Sequence, residues 1–199
     1  MMSFAKASFL VDDEALNKCL RDIAEAEGYD SAEQFTQIKC NSKGIRSIAG
    51  IEQFTNLSSL SVFNNKLQMV DAKLDDLPKL TELNIARNRL KNLSLNNLKS
   101  IEKVYAFDNK LEQISLENLP RLSMIKAQNN KAGSFSYQDV PLLSKIYIFN
   151  NQLEHMDIHN LPSITYVDCR QNPMPDPLYD EMDAMKNVSF LHDGNADDW

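Results

Sequence analysis

In the middle of this chain apolar and polar residues alternate over short runs, and the runs return at a fixed distance. "LSSLSVFNNKL", "LTELNIARNRL", "IEKVYAFDNKL", "LSMIKAQNNKA", "LSKIYIFNNQL" and "ITYVDCRQNPM" align on one pattern, LxxLxLxxNxL. Its asparagine falls at 65, 88, 109, 130, 151 and 172, one interval of 23 residues followed by four of 21. An earlier, degenerate copy, "FTQIKCNSKGI", carries Lys43 in that place. Alternation with period 2 predicts strands with one face turned inward. The first inward column is Ile38, Leu60, Leu83, Val104, Ile125, Ile146 and Val167. Two residues later comes the second: Cys40, Val62, Ile85, Ala106, Ala127, Ile148 and Cys169. A repeat of this length predicts a solenoid, in which each turn buries its apolar edge only against its neighbours and both ends need lids.

Between the asparagines lies a second apolar stretch, as in "KNLSLNNLKSI", "EQISLENLPRL" and "EHMDIHNLPSI". So short a segment, with a proline at its corner, leaves little room for a helix and predicts extended chain on the opposite wall. An inward asparagine amide can pair with backbone N–H and C=O groups that a buried turn leaves open, which gives that column a structural role.

The ends follow a different period. Residues 12–27 predict an amphipathic helix, capped by Asp12 or Asp13, with Leu16, Cys19, Leu20 and Ile23 on one face and Gly28 ending it. Ser31 and Gln34 have the spacing of a capping box. Near the other end Asp176 is the expected N-cap with Pro177 at the first helical position, Leu178, Met182 and Met185 form the expected buried stripe, and "VSFL" can add a last strand.

The repeated LxxLxLxxNxL motif resembles the leucine-rich repeat family in its short bacterial form, over roughly residues 35–174. The helix followed by "IKCNSKGIRSIAGIEQFTNLSSL" looks like the amino-terminal end of internalin-type repeat proteins. The resemblance implies an α/β leucine-rich repeat solenoid, a curved horseshoe with short parallel β-strands on the concave face, mostly extended convex segments and helical caps at both ends. It divides the chain into an N-terminal cap over 1–34, about seven repeat turns over 35–174, and a C-terminal cap with an acidic tail over 175–199. It also implies a protein-binding module rather than an enzyme.

Composition narrows the function classes. The chain has 199 residues, 43% of them hydrophobic and 25% charged, with a formal charge of -7. That is the make-up of a soluble globular domain and not of a disordered or membrane-spanning one. The acidic balance weighs against nucleic acid, whose affinity comes from neutralising phosphates. Cys19, Cys40 and Cys169 form no CxxC and no evident paired framework, and the first residues lack the apolar core of a signal peptide. Together these predict a cytoplasmic protein, with export lacking a cleavable signal peptide as the alternative.

Candidate chemistry is sparse. The five glycines supply no phosphate-binding loop. His155 and His159 have the i, i+4 spacing of a zinc helix, but the repeat register puts them on an extended surface segment. His192 stands near Asp193 with no nucleophile set up beside it. Neither cofactor nor metal is expected.

The outward strand positions hold the remaining signal. Of 21 such positions six are aromatic, Phe63, Tyr105, Phe107, Tyr147, Phe149 and Tyr166, against ten aromatics in the other 178 residues. The same columns carry Lys39, Lys103, Lys126, Lys145 and Arg170 against Glu82 and Asp168. Two readings stay open. The rings can simply stack over the strands, or they can be the anchors of a contact surface. The second predicts that Phe63, Lys103, Tyr105, Phe107, Lys126, Lys145, Tyr147, Phe149, Tyr166 and Arg170 bind a protein or peptide, with grooves over Ala86 and Gln128 between aromatic ridges. A translocated effector and a self-associating homodimer are the alternative settings.

Overall fold

The computed structural model describes residues 9–194. Helix α1, Glu14–Glu27, opens it. Seven three-residue strands then follow the repeat: β1 Gln37–Lys39, β2 Ser59–Ser61, β3 Glu82–Asn84, β5 Lys103–Tyr105, β7 Met124–Lys126, β9 Lys145–Tyr147 and β10 Tyr166–Asp168. Between them on the other wall run β4 Asn92–Asn96, β6 Gln113–Glu117 and β8 Ser134–Gln138. Helix α2, Asp176–Ala184, and strand β11, Ser189–Leu191, close the end.

All pairing is parallel. The concave sheet runs β1-β2-β3-β5-β7-β9-β10-β11 and the convex sheet β4-β6-β8. The register matches the alignment residue for residue, with Leu83 opposite Leu60 on one side and Val104 on the other. Both inward columns are buried from end to end. The convex wall is extended where β4, β6 and β8 lie, but two earlier turns use single 3-10 turns at Ile51–Gln53 and Leu74–Asp76.

The asparagine column works as a ladder between turns. Asn88 Nδ2 donates to Val62 O and Ile85 O, each at 3.0 Å, and its Oδ1 accepts from Leu67 N at 3.0 Å. One amide therefore ties its own strand to the turn before it, in a place where unpaired backbone groups are costly. The residue before each asparagine takes a left-handed conformation, from Asn64 (φ 56°) through Asp108 (φ 55°) to Gln171 (φ 57°). A second left-handed column, Asn97, Asn118 and Asp139, follows the convex strands. Short polar side chains tolerate that region best, which accounts for asparagine and aspartate at most of these corners.

Asp13 caps α1 and also fastens it. Its Oδ1 accepts from Leu16 N at 2.9 Å, while Oδ2 accepts from Arg46 N at 2.8 Å in the first turn of the stack. Beneath the helix Phe35 packs edge-on to Phe9, Phe54 and Tyr29 at 5.2, 5.0 and 4.9 Å. Gly50 is required there: at φ 92° a Cβ would lie 2.1 Å from Leu10 O.

Several expectations for the ends need correction. Cys19 and Cys40 are bonded, joining α1 to the residue after β1. No local spacing announces this pair, since the two sulfurs meet only after the helix docks. Cys169 alone stays free among the described cysteines, buried in the stack. In α1 it is Ala24 that is buried, with Ile23 only partly covered. In α2 the helix begins one residue early, with Pro175 as N-cap and Asp176 as the first helical residue. Met185 ends that helix partly buried, and Tyr179 joins Leu178 and Met182 underneath instead. Tyr179 Oη donates to Asn172 O at 3.1 Å and its ring stacks on His192 at 4.7 Å, so the lid locks onto the last asparagine of the ladder.

Candidate functional site on the concave sheet

A three-residue strand offers one inward side chain between two outward ones, and parallel pairing lines these up across turns. Across β5, β7 and β9 this yields three short rows: Lys103, Met124 and Lys145; Tyr105, Lys126 and Tyr147; Phe107, Gln128 and Phe149. The outer two turns carry the same Lys-x-Tyr-x-Phe signature and the middle one differs. All six outward rings are half-buried, while Lys103 and Lys145 are exposed.

Five of the six rings stand in three places, each with a cation over a ring. Phe63 and Phe107 lie two strands apart, a separation of about 10 Å between backbones, yet their centroids are 6.3 Å apart. They lean together over Ala86, which is fully buried beneath them. The groove expected there is therefore closed, because an alanine between two phenylalanines leaves a gap that the rings fill. The Arg87 guanidinium stands 5.3 Å over Phe63, and its Nε donates to Asp108 Oδ2 at 3.1 Å. Tyr147 and Tyr166 are 5.1 Å apart, with Lys126 Nζ 4.8 Å from the Tyr147 centroid. Arg170 reaches over Phe149 at 5.9 Å. Its fork also grips Asp168 at 2.8 and 2.7 Å.

That fork removes Asp168 from the solvent-facing set, since the carboxylate is buried. Burial, and next to it Glu82, raises the Tyr105 hydroxyl above 10.0. Burial raises Tyr166 as well, with Asp168 adding to it. Both hydroxyls are therefore neutral hydrogen-bonding groups over the ordinary pH range. Gln128, between Phe107 and Phe149 in register, has its Oε1 buried with no hydrogen-bond partner among the described residues. A polar rail edges the patch, with Asn129 Nδ2 donating to Asp108 Oδ1 at 2.7 Å and Asn150 Nδ2 to Asn129 Oδ1 at 3.0 Å.

Solved structures with the same course of chain place the architecture. Internalin C2 of Listeria monocytogenes superposes with a TM-score of 0.59 at 18% identity, covering 94% of this chain and 96% of that one. This is the leucine-rich repeat fold. The leucine-rich effector protein YopM of Yersinia pestis gives 0.60 at 23% identity, over 80% of this chain but only 47% of its own. A leucine-rich repeat protein of Leptospira interrogans gives 0.50 at 21%, over 71% and 44%. No protein-family model matches the sequence, and no curated protein matches it significantly.

Within this leucine-rich repeat stack, six of the ten side chains singled out from the sequence lie on strands of one sheet, and Phe63, Phe107, Phe149 and Arg170 follow two residues after their strands end. Phe63 and Phe107 form one end of the patch, Tyr147, Phe149, Tyr166 and Arg170 the other, and Lys103, Tyr105, Lys126 and Lys145 lie between. Arg87 was missed because it occupies a turn position rather than a strand column. Its signal was a long cationic side chain where the neighbouring turns carry Asn64, Asp108, Asn129 and Asn150. Of the two spaced histidines, His159 pairs with Glu181 at 3.4 Å.

Proposed function

We propose that this chain is a binding module with no chemistry of its own, which holds a protein or peptide against the rings and lysines of β5, β7 and β9. The observation that carries this is the placing of Phe63, Tyr105, Phe107, Tyr147, Phe149 and Tyr166 on one wall, each half-buried, with cations over Phe63, Tyr147 and Phe149. An apolar centre rich in Tyr and Phe with a charged and polar margin is the make-up of protein interfaces. Lys103 and Lys145 steer acidic partners toward it, an effect that salt weakens. Affinity capture from the native lysate tests this, with the Tyr147→Ala, Phe149→Ala double variant as control. Loss of captured protein from a folded double variant is the expected result, and unchanged capture rejects this face.

The Cys19–Cys40 bond favours the exported setting over the cytoplasmic one, because disulfides persist in oxidising compartments and most cytosols keep thiols reduced. Thiol counting on protein quenched in its native compartment decides it: one free thiol supports export, three support the cytoplasm.

A further inference from the structure

The chain crosses from the concave strands to the convex wall along one flank, in the stretches "NNKLQ", "RNRLK", "DNKLE" and "NNKAG" of four consecutive turns. The middle residue of each follows the ladder asparagine and faces outward: Lys66, Arg89, Lys110 and Lys131, all exposed. Backbone bonds hold them in register, since Arg89 N donates to Leu67 O at 2.8 Å, Lys110 N to Leu90 O at 2.9 Å and Lys131 N to Leu111 O at 2.9 Å. Consecutive cations are therefore one strand spacing apart, about 4.8 Å, and the row is about 14 Å long. Lys66 leans back along it, its Nζ lying 3.9 Å from where a Cβ on Gly44 would be.

None of the four forms an ion pair among the described residues, which end before the acidic tail of 195–199. On the opposite flank, by contrast, Arg121 is paired with Glu102 at 3.0 Å. Of the two acids beside the row, Asp108 is already held by Arg87 and Asn129, and Glu112 makes no ion pair with it. Like charges in line repel one another, and in a chain of net charge -7 these four stand without the acids that would relieve them.

We propose that the row of Lys66, Arg89, Lys110 and Lys131 binds a linear anionic polysaccharide, one sugar ring to a turn, with its sulfate or carboxylate groups on the cations and ring hydroxyls against the exposed amides of Asn64 and Gln68. This site is separate from the aromatic face and does not depend on it. The spacing selects the ligand class. A pyranose ring in an extended chain advances by close to one strand spacing, so each turn meets the same part of each sugar. Side chains on one face of an extended peptide are about 6.7 Å apart and fall out of step. Phosphates along one nucleic-acid strand repeat about every 3.4 Å and do the same. An acidic helix comes nearer, at about 5.4 Å per turn, but helices are gripped through apolar grooves, and the positions bordering this row hold amides and charges. A membrane surface asks for a broad basic face with apolar residues to insert, not for a single line of charge.

Titration with a heparin decasaccharide, which carries sulfates, and with an oligogalacturonate of equal length, which carries carboxylates alone, tests the row and tells which anion it takes. At least one should bind, more weakly as salt rises. Lys66→Gln, Arg89→Gln, Lys110→Gln and Lys131→Gln combined should abolish binding with the unfolding midpoint unchanged, whereas Lys103→Gln with Lys145→Gln on the concave face should leave it intact. A gain of function keeps the test independent of how the fourfold variant folds. Gln152 continues the column into the next turn, its N donating to Ala132 O at 2.9 Å. Gln152→Lys should therefore tighten binding several-fold, while Ser136→Lys, which adds the same charge to the convex wall, should not. Failure of both glycans to bind, undiminished binding by a folded fourfold variant, or equal gains from Gln152→Lys and Ser136→Lys overturns the proposal. So does a tighter, row-dependent grip on polyglutamate, on duplex DNA or on vesicles of phosphatidylserine and phosphatidylcholine, which would put a peptide, a nucleic acid or a membrane in place of the glycan.

Discussion

The concave and convex sheets are two answers to one problem in a single molecule. Both are parallel, both keep the register of the repeat, and both turn a buried apolar column inward. Their outward faces differ. Strands β4, β6 and β8 present Asn92, Ser94 and Asn96, then Gln113, Ser115 and Glu117, then Ser134, Ser136 and Gln138. Phe135 and Tyr137, the aromatics of that wall, occupy the inward phase beside Ile114 and Leu116. If parallel strands needed rings to cover them, the convex sheet would show them too. It does without, so stacking alone is an insufficient reason for six rings on the other wall.

The largest effects should ignore the difference between the walls. Leu83→Ala inside the concave column and Leu116→Ala inside the convex one should each destabilise by about 2–5 kcal/mol in denaturant unfolding, because both remove methyls from one continuous core. A much smaller loss at Leu116 would mean that the convex wall is not integral to the stack. Next, Tyr147→Ala and Phe149→Ala should each weaken partner binding by about 2 kcal/mol while leaving unfolding close to unchanged. In contrast Ser115→Ala with Ser136→Ala should leave binding intact and move stability by no more than about 0.5 kcal/mol. Equal binding losses from both walls would abolish the contrast.

A pH dependence samples one group in each wall. Burial first, then Asp168 and Asp193, pushes the Cys169 thiol behind the concave sheet up from 9.0 to about 12. Burial, with Asp157 adding to it, raises Tyr137 of the convex sheet well above 10.0. Folding holds both in the protonated form, so their contribution is complete at neutral pH and is lost as pH rises past the ionisation of the unfolded chain toward the folded values. Unfolding midpoints should fall as pH rises from 9.0 toward about 12. Cys169→Ala should flatten the early part of that fall and Tyr137→Phe the later part. The latter also deletes a buried hydroxyl that has no hydrogen-bond partner among the described residues.

Most of the stack was legible in the sequence because its determinants are local and repeated. Period-2 alternation names the inward residues, the asparagine at fixed spacing names the turn, and seven copies average out substitutions such as Lys43. What stayed hidden depends on contacts between turns. Ala86 reads as an outward residue until two phenylalanines from either side close over it. Cys19 and Cys40 look unrelated until the cap docks. Pro175 replaced Asp176 as N-cap because consecutive residues with extended or helical preferences leave a helix start ambiguous by one position. In the candidate site the columns were readable, whereas Arg87 and the Asp168–Arg170 fork lay outside what alternation can express.

The Lys-x-Tyr-x-Phe ridges at 103–107 and 145–149 give the protein two different periods. Its interior counts in single turns, each apolar rung interchangeable with the next. Its surface counts in pairs of turns, since only every second turn carries a ridge. A lineage that gained or lost one turn would keep a sound interior but would set two ridges side by side or two gaps together. Copying residues 103–144 as a block would instead lengthen the face by one ridge and one gap, leaving every neighbour relation as it was. The pair of turns is thus the smallest piece of this molecule that carries a complete instruction for recognition.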